Sequence, residues 1–192
     1  MMSTIGVWKV GKALVSQCVV SAAVGIGGAG MNPDIAYDGD AVRTQAYVDV
    51  MHTLSAYHVG LDDGDFDLVG RMFAEDAVLE QSNGNVVYGR AAICEAFRSR
   101  REKRFQNVDV DTVSQRHNLT TRFIEIIDDS AAAARCCFIV MTEVGVDHSG
   151  QYFDSFVRRG GRWIISRRRI RIDWMHEASR FRRTWPGPRH AG

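Results

Sequence analysis

The clearest pattern along the chain is a helical repeat of apolar residues between positions 41 and 63. Residues spaced by three or four positions share one face of an α-helix. That spacing connects Val50, Leu54, Tyr57 and Leu61. Gly64 ends the pattern, and Asp65 is a suitable N-cap because its carboxylate can accept the free amides of a first turn. The pattern predicts a first helix over 41–63 and a second over 65–75.

The next segment contains signals for a short hairpin and a third helix. Residues 77–81 have the composition of a strand, and the Ser-Asn-Gly-Asn sequence at 82–85 predicts a tight turn. The chain returns over 86–88, and Gly89 precedes a third helix over 90–104. We predict that the basic residues of this helix form a solvated surface: Arg98, Arg100, Arg101, Lys103 and Arg104.

From position 108 onward the pattern is typical of β-strands. Turn residues interrupt it at 128–130, 147–150 and 160–161, which predicts four long strands in hairpin order. Helices followed by a run of strands predict an α+β fold. In such a fold the three N-terminal helices pack on one face of an antiparallel sheet.

Both ends of the chain lack these patterns. Residues 1–40 are rich in glycine and small residues, and we interpret them as a flexible leader. The run 25–30 matches Gly-x-Gly-x-x-Gly, but an Asn-Pro pair follows it where a helix would have to begin. We therefore predict no dinucleotide site. Residues 177–192 form a basic tail, which leaves 41–176 as the folded domain.

Charge is balanced overall but unevenly distributed. The 192 residues are 45% hydrophobic and carry a net charge of +1, which fits one ordinary globular domain. Residues 34–80 hold eleven acids against two arginines, whereas residues 158–192 hold eleven arginines against two acids. We interpret the two segments as neutralising one another. We accordingly predict neither a nucleic-acid partner nor a membrane partner.

The cysteines indicate no metal site. Cys18, Cys94, Cys136 and Cys137 lack the spacing of metal ligands, and no cluster of histidines supplies it. Reduced cysteines fit a cytoplasmic protein. We therefore predict a cytoplasmic protein that uses no metal and no cofactor.

Several short motifs occur in an order that resembles the SnoaL-like branch of the nuclear transport factor 2 (NTF2) superfamily. They are Leu61-Asp62-Asp63-Gly64-Asp65-Phe66, Met72-Phe73-Ala74-Glu75-Asp76-Ala77-Val78, Tyr88-Gly89-Arg90-Ala91-Ala92-Ile93, Arg116-His117-Asn118-Leu119-Thr120-Thr121, Gln151-Tyr152-Phe153-Asp154 and Gly161-Arg162-Trp163-Ile164-Ile165. The resemblance covers residues 41–175. It implies a cone-shaped NTF2-like fold, in which a curved antiparallel sheet and the helices enclose one apolar pocket. It also implies a small-molecule ligand, and a homodimer or homotrimer formed through the outer sheet face.

The resemblance also implies three catalytic residues. Scytalone dehydratase-like dehydratases and polyketide cyclases place a tyrosine and an aspartate around the end of the first helix, with a histidine on a facing strand. Tyr57, Asp62 and His117 match these positions. A histidine can remove a proton beside a carbonyl, a carboxylate fixes the histidine tautomer, and a phenol can hold the enolate oxygen. The alternative interpretation of His117 is a core histidine bonded to the backbone.

Four further residues are predicted to contact the substrate: Asp154, Tyr152, Phe138 and Trp163. For Asp154 two interpretations stay open, a second acid of the site or the partner of a nearby arginine. Strand alternation also predicts that one face of the histidine strand carries His117, Leu119, Thr121 and Phe123.

These residues predict a cofactor-independent lyase or isomerase of the dehydratase or cyclase type. It would act on an apolar, oxygenated small molecule by proton transfer at His117 and Asp62. Steroid-isomerase chemistry is disfavoured, because Gln81 stands where those enzymes carry their basic aspartate. The alternative is a non-catalytic subunit that binds a ligand or supports a partner, as the β subunits of ring-hydroxylating dioxygenases do.

Overall fold

The computed structural model describes residues 41–106 and 114–184 of the chain. The elements of this described part are α1 (Ala41–Asp63), α2 (Phe66–Arg71), β1 (Phe73–Glu80), β2 (Val86–Tyr88), α3 (Arg90–Phe105), β3 (Gln115–Ile126), β4 (Ala131–Thr142), β5 (Gly145–Arg159), β6 (Arg162–Met175) and a C-terminal 3-10 helix (Arg180–Thr184). The predictions for residues 1–40, and for the tail beyond 184, lie outside the described residues.

The first helix has the predicted bounds and buries the predicted face. Val50, Leu54 and Tyr57 are fully buried against the sheet, and Leu61 packs at the edge of the same core. Burying an aliphatic side chain of this size contributes about 1.5–3 kcal/mol to stability. The face of α1 therefore fixes the helix on the sheet, and its C-terminal end comes to lie beside β3.

The second helix is shorter than predicted. It ends at Arg71, and Phe73 begins β1 although its spacing continues the helical pattern. Phe73 pairs with Ile165 of β6, whose backbone N–H donates a 2.8 Å hydrogen bond to the carbonyl of Met72. Pairing with the sheet thus overrides the local helical preference at this position.

The sheet has the strand order β2-β1-β6-β5-β4-β3. All neighbouring pairs are antiparallel except β1 and β6, which run parallel, so the prediction of an antiparallel sheet is wrong for this one pair. The three helices pack with the core on one side of the curved sheet. This is the α+β arrangement that the order of elements predicts.

A β-bulge changes which residues of β3 face inward. The register against β4 shifts between Leu119 and Arg122, which inserts one extra residue into β3. Leu119 remains packed against the core, whereas Phe123 is 59% exposed. The prediction that Thr121 and Phe123 share the face of His117 is therefore wrong beyond the bulge.

The turn between β4 and β5 also differs from the prediction. Residues 147–150 lie within β5, and the chain reverses at 143–144, just before Gly145 with its positive φ of 86°. A bulge then places one extra residue, Asp147, between the pairs Val140–His148 and Met141–Val146. Two residues that are adjacent in the strand, Asp147 and His148, are consequently both buried.

Candidate active site

Asp62 and His117 form a hydrogen-bonded pair where α1 meets β3. Asp62 lies in the last turn of α1, which Gly64 terminates with a positive φ of 76°. His117 is the third residue of β3. Its Nδ1 lies 2.6 Å from Asp62 Oδ1, and its backbone N–H donates a 3.0 Å hydrogen bond to Asp62 Oδ2. One carboxylate thus holds both the ring and the backbone of the histidine.

This geometry assigns the tautomer of His117. A carboxylate can only accept hydrogen bonds, so Nδ1 carries the proton and Nε2 of the neutral ring keeps its lone pair. The His117 side chain is 8% exposed and lines a cavity. Nε2 is therefore the basic atom that the site can present to a bound molecule.

Tyr57 lines the same cavity from the buried face of α1. Its hydroxyl has no hydrogen-bond partner among the described residues, and the Arg168 guanidinium lies 4.0 Å from the centre of its ring. Burial raises the pKa of Tyr57, although Arg168 opposes the shift. The phenol therefore stays protonated. Its hydroxyl is fully buried, so it can donate a hydrogen bond only to a ligand atom that comes into direct contact with it.

The sequence did not reveal a second His–Asp pair, whose histidine, His148, also lines the cavity. Nδ1 of His148 lies 2.6 Å from Oδ1 of Asp147. The same oxygen accepts a 2.7 Å hydrogen bond from the Ser179 hydroxyl, and Oδ2 accepts one of 3.1 Å from Thr142. The bulge in β5 makes this pair, because regular alternation would point adjacent residues to opposite faces.

Burial and hydrogen bonding together set the charges of this second pair. Burial lowers the pKa of His148, although Asp147 opposes the shift. Burial would raise the pKa of Asp147, but hydrogen bonds from His148 and Ser179 outweigh it and lower the pKa. His148 is therefore a neutral ring near pH 7, with Nδ1 protonated and Nε2 available as a hydrogen-bond acceptor.

The cavity has a volume of about 110 Å³ and is open on one side. A cavity of roughly 150 Å³ binds benzene, so this smaller space holds part of a ligand and the rest would extend through the opening. Tyr57, Tyr152 and Phe138 are buried and form its inner wall, whereas Phe66 and Phe181 are partly exposed at its rim. Aromatic walls with a few polar groups are typical of small-molecule sites.

Two of the four residues predicted to contact the substrate line this cavity. Tyr152 and Phe138 stack on each other with their ring centres 4.4 Å apart. Asp154 does not line the cavity. It forms a fully buried, bidentate ion pair with Arg168 through two hydrogen bonds of 2.7 Å. Of the two interpretations of Asp154, the structure shows the partner of an arginine.

Trp163 lies elsewhere, beside the first half of α1. Its backbone carbonyl accepts a 2.6 Å hydrogen bond from the Thr53 hydroxyl. Its side chain is buried there and borders a separate surface groove with Gln45 and Asp49. The structure therefore places Trp163 outside the cavity that His117 lines.

The basic face of α3 is divided between solvent and the cavity. Arg100, Arg101 and Arg104 line the cavity, whereas Arg98 pairs with Glu95 outside it. The prediction that all five basic residues of α3 form a solvated surface is wrong for these three arginines. Their spacing at i, i+1 and i+4 puts them on one side of the helix, together with the buried Phe97.

A third histidine, His58, is buried on α1 beside His117 and Tyr152. The centre of its ring is 5.5 Å from that of His117 and 5.3 Å from that of Tyr152. Its Nδ1 lies 2.6 Å from the carbonyl of Leu54 and donates to it. Burial lowers the pKa of His58 well below its usual value, so this ring is neutral.

The described residues contain neither a cluster of metal ligands nor a helix that could span a membrane. Between residues 41–106 and 114–184, no three His, Cys, Asp or Glu side chains converge as ligands of a metal ion would. None of the helices in the same ranges combines the length and the apolar composition that crossing a membrane requires.

The curved six-stranded sheet and the helices packed against it define an α+β fold of the NTF2-like type. The chain belongs to the SnoaL-like domain family, whose model matches residues 42–169. No curated protein matches the sequence.

Solved structures share this fold. A protein of unknown function from Mycobacterium tuberculosis is 25% identical, with a TM-score of 0.58, and the match covers 69% of this chain and 75% of that one. A proposed scytalone dehydratase from Novosphingobium aromaticivorans is 17% identical, with a TM-score of 0.59 and coverages of 71% and 89%. The β subunit of a proposed aromatic-ring-hydroxylating dioxygenase from the same organism is 18% identical, with a TM-score of 0.58 and coverages of 72% and 95%.

Proposed function

We propose that the protein is a cofactor-independent lyase or isomerase that removes a proton beside a carbonyl group of a small molecule. The observation that carries this proposal is the His117–Asp62 pair, whose histidine is held through Nδ1 and lines a cavity with aromatic walls. A neutral imidazole held in one tautomer is a suitable general base near pH 7.

His117 and Tyr57 have complementary roles in the proposed reaction. Nε2 of His117 takes the proton from the carbon next to the carbonyl, and the electron pair of the broken C–H bond moves towards the carbonyl oxygen. The Tyr57 hydroxyl, which lacks a partner among the described residues, donates a hydrogen bond to the enolate that forms. Asp62 stabilises the imidazolium produced at His117.

The enolate can then follow two routes. In an elimination, a carbon–carbon double bond forms as the C–O bond at the next carbon breaks, and the imidazolium returns its proton so that water leaves. In an isomerisation, the proton returns to a different carbon. His148 is neutral, so it serves as an acceptor that positions a substrate hydroxyl and does not supply the proton.

Hydrogen–deuterium exchange tests the first step without knowledge of the natural substrate. The assay measures deuterium uptake from D₂O beside the carbonyl of cyclic ketones, both neutral and carboxylated, by NMR. We expect His117→Ala to lower the exchange rate by about two to four orders of magnitude. His52→Ala is the matched control, because His52 is exposed on α1 and does not line the cavity.

Thermal denaturation checks that both variants are folded. Equal exchange rates for the wild-type protein and folded His117→Ala would rule out this base. Absence of exchange with every ketone would favour the alternative, a non-catalytic subunit that binds a ligand or supports a partner.

A further inference from the structure

The charges around the cavity are unbalanced. Among the described residues, three arginines and two histidines line it, and none of these lining residues is an acid. The carboxylates that contact the two histidines are already engaged, Asp62 with His117 and Asp147 with His148. The described lining therefore presents an excess of positive charge.

Within the described part of the chain, the hydrogen bonds of Arg101 and Arg104 go to neutral acceptors. Arg101 donates to the backbone carbonyls of Leu61 and Asp62, at distances of 3.3 and 3.4 Å. Arg104 donates to the Gln115 side chain at 2.6 Å. Arg100 has neither a hydrogen bond nor an ion pair with the described residues. A cation in this position is available to a ligand.

Of the three arginines, Arg104 is the one most affected by burial and by the neighbouring positive charges. Its guanidinium lies 3.6 Å from the centre of the Phe181 ring, in the C-terminal 3-10 helix. Burial, followed by repulsion from Arg100 and Arg101, lowers the pKa of Arg104 to about 9. An anion bound among these residues would relieve the repulsion.

The arginines also lie close to the base. Arg101 contacts the carbonyl of Asp62, and Gln115, the partner of Arg104, is two residues before His117 on β3. Because the three arginines and His117 line the same cavity, a ligand with one end on the arginines can present its other end to His117.

We propose that the cavity binds an anionic substrate, a small cyclic molecule whose carboxylate is held by Arg100, Arg101 and Arg104 while its carbonyl faces His117. Guanidinium groups pair with carboxylates through charge-assisted, often bidentate hydrogen bonds. The inference rests on the proposed function for the position of the carbonyl. The anion site itself stands on the charges and contacts of α3.

Ligand titrations followed by NMR test the anion site directly. The probes are benzoate, benzamide and phenyl phosphate, which share a ring and differ in charge. We expect benzoate to bind about tenfold or more tightly than benzamide at low salt, because only benzoate can form the charge-assisted pair. Raising the salt concentration should weaken benzoate and leave benzamide unchanged.

Two variants of the same helix locate the effect. Arg100→Gln should reduce the preference for benzoate over benzamide to about twofold or less, since it removes the cation that has no protein partner. Arg98→Gln is the matched control, because Arg98 lies outside the cavity, and it should keep the full preference. Arg104→Gln provides a second test if Arg100→Gln does not fold.

The outcomes separate this inference from the proposed function. Equal affinities for benzoate and benzamide in the wild-type protein would overturn the anion site, whether or not His117 catalyses exchange. A preference for phenyl phosphate over benzoate that is lost in Arg100→Gln would support the anion site and identify phosphate as the preferred group. A preference for benzoate with no proton exchange would support the anion site and count against the base.

Discussion

The His117–Asp62 pair joins residues 55 positions apart, whereas the His148–Asp147 pair joins neighbours within one strand. Both pairs have the same Nδ1–Oδ1 distance of 2.6 Å, and both histidines line the same cavity. They differ in what else the carboxylate holds. Among the described residues Asp62 accepts hydrogen bonds from His117 alone, whereas Asp147 accepts from three side chains.

This difference separates a pair suited to catalysis from one suited to structure. In the proposed reaction, the carboxylate of Asp62 orients and stabilises His117. Asp147 also anchors Ser179, and therefore the start of the C-terminal segment whose Phe181 lies 4.5 Å from the His148 ring. A geometry shared by two His–Asp pairs does not by itself assign a role. The number of partners of each carboxylate is the more informative property.

The largest effect that would test this comparison is on proton exchange. Asp62→Asn should slow exchange by roughly tenfold to a hundredfold, because a neutral amide does not stabilise the imidazolium formed at His117 and its –NH₂ group cannot accept a hydrogen bond as the second carboxylate oxygen does. His148→Gln should slow it by less than about threefold, since exchange needs the base and not the residue that positions a hydroxyl. The rates are measured by NMR in D₂O. A larger loss in His148→Gln than in Asp62→Asn would reverse the two roles.

Asp62 and His117 could be paired from the sequence because the resemblance supplied both positions. Periodicity alone places Asp62 at a helix end and His117 on a strand, and it does not say that the two elements meet. Their contact depends on α1 packing across the sheet, which is a property of the whole fold. The order of family motifs carries this information, and the hydrophobic pattern does not.

His148 was missed for a physical reason that concerns the strand. The sequence Asp147-His148-Ser149-Gly150 is rich in turn-forming residues, and it predicts a turn at those positions. The structure makes it a bulged part of β5, because the chain can already reverse at Gly145. A bulge depends on the register with a neighbouring strand, and a single sequence does not encode that register visibly.

The arginines of α3 were missed because a solvated surface and a cavity wall have the same helical spacing. Which side of α3 is covered depends on Phe181 and on the α1–α2 turn, both distant in sequence. Sequence spacing correctly groups Arg100, Arg101 and Arg104. It does not show whether these three side chains face solvent or the cavity.

The next effect concerns stability. Asp147→Ala should lower the free energy of unfolding by about 2–4 kcal/mol, because it leaves several buried donors without an acceptor. Asp62→Ala should cost about 1 kcal/mol, since the ring of His117 borders a cavity that water can reach. Urea denaturation of both variants measures the difference. Similar losses of unfolding free energy in the two variants would contradict the view that the Asp147–His148 pair is structural and the Asp62–His117 pair is not.

The smallest expected effect is the dependence of stability on pH. Burial lowers the folded-state pKa of His148, so between that pKa and the usual value of about 6.5 the unfolded chain binds more protons. Stability should therefore fall as the pH drops below about 6.5, by at most about 1.4 kcal/mol per pH unit for one histidine. His58, whose pKa burial also lowers, adds a contribution of the same sign.

Urea denaturation between pH 7 and 5.5 measures this dependence and stays above the range in which Asp147 is protonated. His148→Gln and His58→Gln should each make the curve flatter. A wild-type stability that does not fall over this range, or a slope that neither substitution reduces, would show that these rings can be protonated in the folded protein. In that case His148 could act as a proton donor beside His117.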